Sequence, residues 1–323
     1  MAQSGKFDAA MRDVLVRAAI LAPSMHNTQP WRFRFWGRTV EVHSDPRYAL
    51  PVADPKGRML LISTGAALFN LRVAAARHGY ETTVTIPDRL DATLAATVRL
   101  DPLASEERSE IGILYAYLGR RRTNRERYED RAIAEPVREE LIAAADSEDA
   151  TLELVVDPFR RDQLLSLAAD GTLDESADPA REAERRRWVG GERDRDGIPS
   201  ASLGPRPARP SAPVRDLAAD RADRARQTGR FESAPVLAVL ATRFDSPRDW
   251  LVAGQALQRV LLVATRRGLA TSLLTQAFEH DSLRWQVRDT RSGLSRPQVV
   301  IRLGYGPDVP PTPRRPAAEF IVT

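Results

Sequence analysis

The sequence predicts an α+β protein, and two observations carry that prediction. Segments with apolar residues at helical spacing alternate with short strands, and the alternation runs once before residue 115 and again after it. An absence narrows the class: no Gly-x-Gly-x-x-Gly follows a strand, so a Rossmann nicotinamide site is not expected.

The elements follow in order. Phe7, Met11, Val14, Ala18 and Leu21 step by 4, 3, 4 and 3 residues, one helical face, and Pro23 ends that helix. Residues 31–36 and 39–43 read as strands with Gly37-Arg38 as their turn. A long apolar helix is expected over 58–77, with Leu61, Thr64, Leu68, Leu71 and Ala75 as its stripe and Gly79 as its C-cap. Strands near 82–86 and 93–100 complete a first half, 1–115. A helix from about Ser105 leads to a basic turn, Gly119 to Arg125. In the second half, 116–323, a helix starts at Pro136, followed by a strand at 151–156 and a helix at 160–169. A strand at 235–242, a helix at 251–267 capped by Gly268, a helix near 281–288 and a strand at 298–303 come next. A Pro/Gly-rich tail then leads to a last strand at 319–323.

Residues 172–230 break the pattern. Charges are dense, prolines cluster between Pro199 and Pro213, and apolar residues are sparse. The stretch reads as an inserted lid, anchored by Trp188, Ile198 and Leu203, with plain disorder as the alternative.

Composition excludes several functions. The 323 residues contain no cysteine, which removes disulfides, thiolate nucleophiles and sulfur-ligated metals. No two of His26, His43, His78 and His280 are at metal-ligand spacing, so no metal is expected. Only Lys6 and Lys56 are lysine, leaving 46 arginines; the bias reads as genomic, and the interspersed net charge of +4 is no nucleic-acid footprint. The first residues do not resemble a signal peptide. No apolar run approaches the ~20 residues that cross a bilayer, so a soluble, cytoplasmic protein is expected.

Two segments can carry chemistry. Residues 22–31 place Ser24, His26, Asn27, Thr28 and Gln29 between a helix and the strand opened by Pro30-Trp31. Uncharged amides with paired donors and acceptors suit a flat heterocycle with alternating carbonyls and ring N–H groups; an ordinary capped turn is the alternative. Arg120-Arg-Arg-Thr-Asn-Arg125 offers guanidinium forks beside a hydroxyl, a match for phosphate oxygens, with a solvated helix end as the alternative.

Together these segments resemble the FMN-dependent nitroreductase superfamily. Residues 23–31 are similar to its Pro-Ser-x-x-Asn-x-Gln-Pro-Trp signature, and 121–125 to its Arg-Arg-Ser-x-Arg element, with Thr123 in place of serine. Thr271-Ser-Leu-Leu-Thr-Gln276, Asp196-Gly-Ile-Pro199, Leu203-Gly-Pro205, Gly304-Tyr-Gly306 and Pro313-Arg-Arg-Pro316 are similar to its Acg-like branch. The resemblance implies mixed, mainly antiparallel sheets with surrounding helices, in two fused homologous halves. It also implies FMN as cofactor, with NADPH or NADH as a transient electron donor. The arginine element precedes the Asn/Gln turn in the superfamily but follows it here, so one site is expected between the halves and one FMN per chain.

By the same resemblance Arg121, Arg122, Thr123 and Arg125 contact FMN phosphate, ribityl and ring edge. Ser24, Asn27 and Gln29 face the ring, and Arg314 or Arg315 stands near the phosphate. The segment Ser272 to Gln276 runs along the ring. His26 joins this set as a donor to flavin or substrate, with a structural hydrogen bond as its alternative, and Trp31 is packing. Hydride chemistry belongs to the flavin, so no catalytic side chain is expected. The implied function is NAD(P)H-dependent reduction of a nitroaromatic, quinone or unsaturated small molecule. An FMN-sequestering stress protein closed by its lid and a biosynthetic flavin-dependent dehydrogenase are the alternatives. A pseudo-dimer within one chain makes a monomer sufficient, with a homodimer open.

Overall fold

The computed structural model describes residues 7–87, 93–103, 109–209, 211–217, 226–288 and 295–322. Helix α1 (Ala9–Ala19) starts where the Asp8 side chain accepts from the Met11 N–H, an N-cap that satisfies a free donor. The strands β1 (Trp31–Trp36) and β2 (Thr39–Ser44) form an antiparallel hairpin with Phe33 opposite Val42. Trp31, Phe33, Val40 and Val42 are fully buried on one face, the alternation expected of a half-covered sheet. Helix α2 (Arg58–Arg77) follows, then β3 (Tyr80–Thr85) and β4 (Leu94–Pro102).

After a 3-10 turn at Glu110–Leu114 come α3 (Tyr115–Leu118), α4 (Glu135–Asp146), β5 (Thr151–Val155), α5 (Pro158–Ala177) and α6 (Pro179–Trp188). Two short parallel strands, β6 (Arg206–Pro207) and β7 (Thr228–Gly229), lie in the insertion. Then follow β8 (Val236–Thr242), α7 (Pro247–Arg266), β9 (Ala270–Leu274), α8 (Asp281–Val287), β10 (Arg296–Gly304) and β11 (Ile321–Val322). The first sheet has the order β11-β1-β2-β4-β3 and the second β5-β8-β10-β9. All pairings in both are antiparallel except β11 on β1.

Apart from α3, α8 and the elements α5, α6, β6 and β7 that stand between β5 and β8, residues 1–115 and 116–323 repeat one order: a helix, two strands, a 20-residue helix, two strands. Their sheets share one topology, β1-β2-β4-β3 against β5-β8-β10-β9. Gly65, Ala67, Leu68, Ala75, Arg77 and Gly79 recur in the second half as Gly254, Ala256, Leu257, Ala264, Arg266 and Gly268. Helices α2 and α7 cross where the two glycines meet. A Cβ on Gly65 would stand 2.2 Å from the Leu251 carbonyl oxygen, and one on Gly254 2.1 Å from that of Ile62. The contact is reciprocal, each glycine facing the residue three before the other, and only glycine permits so close a backbone approach.

One core runs from Val40 and Val98 through Leu68 and Leu257 to Leu240 and Ile301, linking both sheets through the crossed helices. Leu164, Leu167 and Val287 cover the outer face of the second sheet, so β10 is buried on both faces from Pro297 to Gly304. Its buried run is apolar except for Gln298 and Arg302, the latter paired with Glu232, whereas β3 alternates between half-buried and exposed positions.

Several expectations need correction. Helix α2 has no single stripe: sixteen of its twenty residues are buried, because α7 and the first sheet press on it from different sides. The helix is also long and apolar enough to cross a membrane, contrary to the sequence reading, with an 18-residue window of mean hydropathy 1.5; 83% of that window is buried inside the protein. Of the segment Ser272 to Gln276, expected to run along the ring as a loop, residues 272–274 belong to β9 (Ala270–Leu274), and α6 was not foreseen. The last strand is shorter than expected and follows a 3-10 turn at Ala317–Phe320. The predicted helix start near Ser105, insertion residues 210 and 218–225, and Thr323 lie outside the described residues.

Candidate active site

The turn after α1, from Pro23 to Asn27, builds one wall of a cavity of about 1080 Å³, counted to its open mouth. His26, Asn27 and Gln29 all have left-handed backbone, with φ of 50°, 57° and 54°, unusual for residues with a Cβ and typical of functional turns. Ser24 Oγ holds the turn by accepting from the Gln29 N–H at 2.9 Å. The opposite wall is the arginine segment, laid along β9: Thr123 bridges to Thr271, and the Asn124 N–H donates to the Thr271 carbonyl at 2.8 Å. Met59, Ile62 and Leu257 supply apolar lining from α2 and α7.

Nine of the twelve sequence-selected residues line this cavity: Ser24, His26, Asn27, Arg121, Arg122, Thr123, Arg125, Ser272 and Arg314. The lining holds no carboxylate among the described residues. Arg121 is 4% exposed, and its Nε and Nη1 have no partner; Nη2 reaches only the Leu21 carbonyl at 3.5 Å. Burial, reinforced by Arg314 and Arg122, lowers its pKa to about 9. Arg314 is lowered to about 10 by burial and by Arg122. It donates to the Ile20, Leu21 and Ala22 carbonyls and to Asn27 Oδ1 at 2.9 Å, binding the negative end of α1. Burial, with Arg215 beside it, also lowers Arg125 to about 10. Cations held this close without counter-charge are stabilised by an anion.

Gln29, Gln276 and Arg315 do not line the cavity. Gln29 Nε2 donates to the Arg195 carbonyl at 2.9 Å, and its Oε1 accepts from the Arg315 N–H at 3.0 Å. Arg315 donates to the Thr28 and Gln29 carbonyls and stacks 3.6 Å over the Tyr48 ring. Gln276 is buried in the 3-10 turn after β9. Trp31 is fully buried in the core, the packing role read from the sequence.

The insertion contributes more than the sequence suggested. Asn27 Nδ2 donates to the Gly197 carbonyl at 2.9 Å and to that of Pro313 at 3.0 Å, while the Gly197 N–H donates to the Asn27 carbonyl. Gly197 turns there with φ 76°. Val189, Ile198, Leu203 and Leu217 form a small separate core beside Trp188. Ile198, Val214, Arg215 and Leu217 reach the cavity. Val214, Arg215 and Leu217 carried no sequence signal, sitting in a charged stretch; Met59 and Ile62 were masked as ordinary core positions. His26 is buried, and its pKa falls to about 3 through burial first and Arg215 second, so the ring is neutral near pH 7.

No family model matches the chain. It is 31% identical over 323 residues to a Mycobacterium tuberculosis H37Rv protein named "Putative NAD(P)H nitroreductase", covering 97% of this chain and 92% of the relative. It is 30% identical over 329 residues to "Putative NAD(P)H nitroreductase acg" of the same strain, covering 94% and 93%. The chain belongs to the nitroreductase superfamily, in its Acg-like branch. Among solved structures it is similar to an FMN-complexed nitroreductase from Desulfovibrio desulfuricans, with a TM-score of 0.38, 16% identity, and coverage of 65% of this chain and 95% of that one. In this nitroreductase the signature turn and the arginine segment, some ninety residues apart in sequence, face each other across one cavity.

Proposed function

We propose that the cavity binds FMN and that the chain is an NAD(P)H-dependent oxidoreductase of nitroreductase type, reducing a small nitroaromatic, quinone or unsaturated acceptor. The observation that carries this reading is Arg121, buried with two guanidinium nitrogens unpartnered in a cavity without carboxylates. A phosphate oxygen supplies the missing acceptors, with Arg122 and Arg314 adding charge on the same side. Ser24, Asn27, Thr123 and Ser272 offer neutral polar groups for the ribityl chain and ring. Asn27 would do so while tied to Gly197 and Arg314. Gln29, Gln276 and Arg315 support the turn and tail behind this set. When bound, the flavin accepts and delivers hydride; the chain positions it, excludes water and provides apolar lining at Met59, Ile62, Ile198 and Leu257.

The repeated topology and the reciprocal glycine crossing support two fused homologous halves, 1–115 and 116–323, with the insertion at about 172–230 acting as a lid. The first half brings the turn and α2, the second the arginine segment and β9. A second copy of the chain is then unnecessary to complete the site.

The visible absorption spectrum of the purified protein tests the reading. Flavin bands that bleach with NADPH in the absence of oxygen are expected. A colourless protein that fails to bind added FMN overturns it, and bound FMN that stays oxidised under excess NADPH makes the chain a flavin store.

A further inference from the structure

The insertion supplies part of the main cavity's apolar wall. Ile198, Val214 and Leu217 line it, and all three are buried. Residues 211–217 form neither helix nor strand, so no hydrogen-bonded ladder fixes where Val214 and Leu217 stand. Side chains do so instead. Leu217 packs with Val189, Ile198 and Leu203, and Asp216 accepts from Arg226 Nη1 at 2.7 Å. Both ties stay within the insertion. Arg215 reaches out of it: Nη1 donates to Glu279 Oε1 at 2.9 Å, and Nη2 donates to Glu175 on α5.

The two carboxylates stand on a stiff base. Glu279 ends the 3-10 turn Gln276–Phe278 that follows β9. Gly171, four residues before Glu175 and on the same face of α5, lies against that turn. A Cβ on Gly171 would stand 2.7 Å from the Gln276 carbonyl carbon, so α5 and the turn meet backbone to backbone. Arg58 Nη2 from α2 donates to the Phe278 carbonyl at 3.2 Å. Thr275 Oγ1 donates to Glu279 Oε1 at 3.0 Å, and Arg181 Nη2 donates to the Glu279 carbonyl at 3.2 Å. Arg181 Nη1 stands 3.8 Å from Glu279 Oε2. Around a smaller cavity of about 230 Å³, Arg181, Arg185 and Arg215 meet Glu175, Glu182 and Glu279. Three cations thus face three carboxylates, and of these six only Arg215 also lines the main cavity.

We propose that Arg215 is a positioning residue for the acceptor pocket: gripped by Glu175 and Glu279, it holds Val214 and Leu217 in the cavity wall and so restricts the acceptor to a small, uncharged ring. The inference rests on the hydride-transfer reading above and adds to it what selects the acceptor. An apolar wall disfavours a charged acceptor, whose desolvation it does not repay. A wall fixed in place excludes a bulky one, because the space for it opens only if the segment moves. The planar fork of Arg215 engages a carboxylate with each of its two outer nitrogens, a grip that one ammonium does not reproduce. Arg215 makes no contact with the acceptor in this account; Val214 and Leu217 do, and Arg215 acts through them.

Stopped-flow oxidation of the FMN-loaded protein tests the clamp. The protein is reduced with dithionite and mixed anaerobically with a one-ring benzoquinone or with a naphthoquinone carrying a bulky side chain, giving an apparent Kd and a limiting rate for each. Val214→Ala should shift the preference roughly tenfold toward the bulky quinone, the lower end of what a small change in an apolar pocket yields. The shift should lie in Kd, with the limiting rate for the benzoquinone unchanged. Arg215→Met combined with Glu175→Gln, which removes the clamp together with one carboxylate, should give the same shift, and adding Val214→Ala to it should give no more. Arg215→Lys keeps the buried charge without the fork, should shift the preference in the same direction, and carries the test if the double variant does not fold. Asp216→Asn, which loosens a tie internal to the insertion, should leave the preference unchanged. An unchanged preference in Val214→Ala or Arg215→Lys, an equal shift in Asp216→Asn, or simple addition in the combined variant overturns the clamp. Failure of the unsubstituted chain to bind FMN is read separately, in a flavin titration, and overturns the hydride-transfer reading beneath it.

Discussion

Arg121 concentrates the chemistry of the site in one side chain. It is buried without a counter-ion, so the flavin-free fold carries the cost of an unpaired charge that a bound phosphate would relieve. Arg121→Ala should weaken FMN binding by about 1.5–3 kcal/mol, the range for a hydrogen bond to a charged group. A fluorescence titration measures it, and an unchanged Kd removes Arg121 from the site. His26 gives the second prediction at this scale. Its folded pKa, about 3, lies below the unfolded value near 6.5, so the fold favours the neutral ring. The resulting stability is complete above the unfolded pKa and is lost as pH falls toward the folded one. The wild type should lose melting temperature over that acid window more steeply than His26→Gln. Parallel pH profiles for the two proteins would exclude His26 as a contributor.

At the scale of elements, the crossing of α2 and α7 is the fold's tightest contact with a stated cause. Gly254→Ala puts a methyl 2.1 Å from the Ile62 carbonyl oxygen, and neither backbone can yield without separating the helices. About 3 kcal/mol of stability should be lost in chemical denaturation, at the upper end of overpacking effects. Gly268→Ala is the control: nothing lies within 4 Å of its added Cβ, so only the positive φ opposes it, at about 1 kcal/mol. Equal losses in the two variants would mean that the helix crossing is not the reason for Gly254. Most helices and strands were legible in sequence because their periods are simple. The arginine-rich segment at 120–125 was visible as chemistry, but its pairing with β9 was not. Neither Thr123 nor Thr271 carries a local mark of its partner.

At the scale of the whole molecule, the chain closes on itself. The tail after β10 returns to the first half, where β11 pairs with β1 and brings Arg314 to the end of α1. The proposed fusion of two halves then predicts a stoichiometry. Where the first half has Asn27 and Gln29 after α1, the second has Glu148 after α4, engaged by Arg72 and Arg259. That turn offers a satisfied ion pair and no amide pair. Equilibrium dialysis should find one FMN per chain; two would overturn the reading of unequal halves.

The sequence by itself determined the α+β class, the order of nearly all the elements and the two segments that meet at the site. These depend on local period, turn residues and side-chain chemistry, which short windows contain. Only the tertiary structure decided which of the selected residues share a cavity and which brace it from behind. It placed Gln29 and Arg315 against the backbone of the turn and tail, and it drew Arg215 from a charged insertion to the cavity wall. Those assignments depend on contacts between residues more than a hundred positions apart, and on whether burial leaves a polar atom partnered. No local pattern contains either quantity.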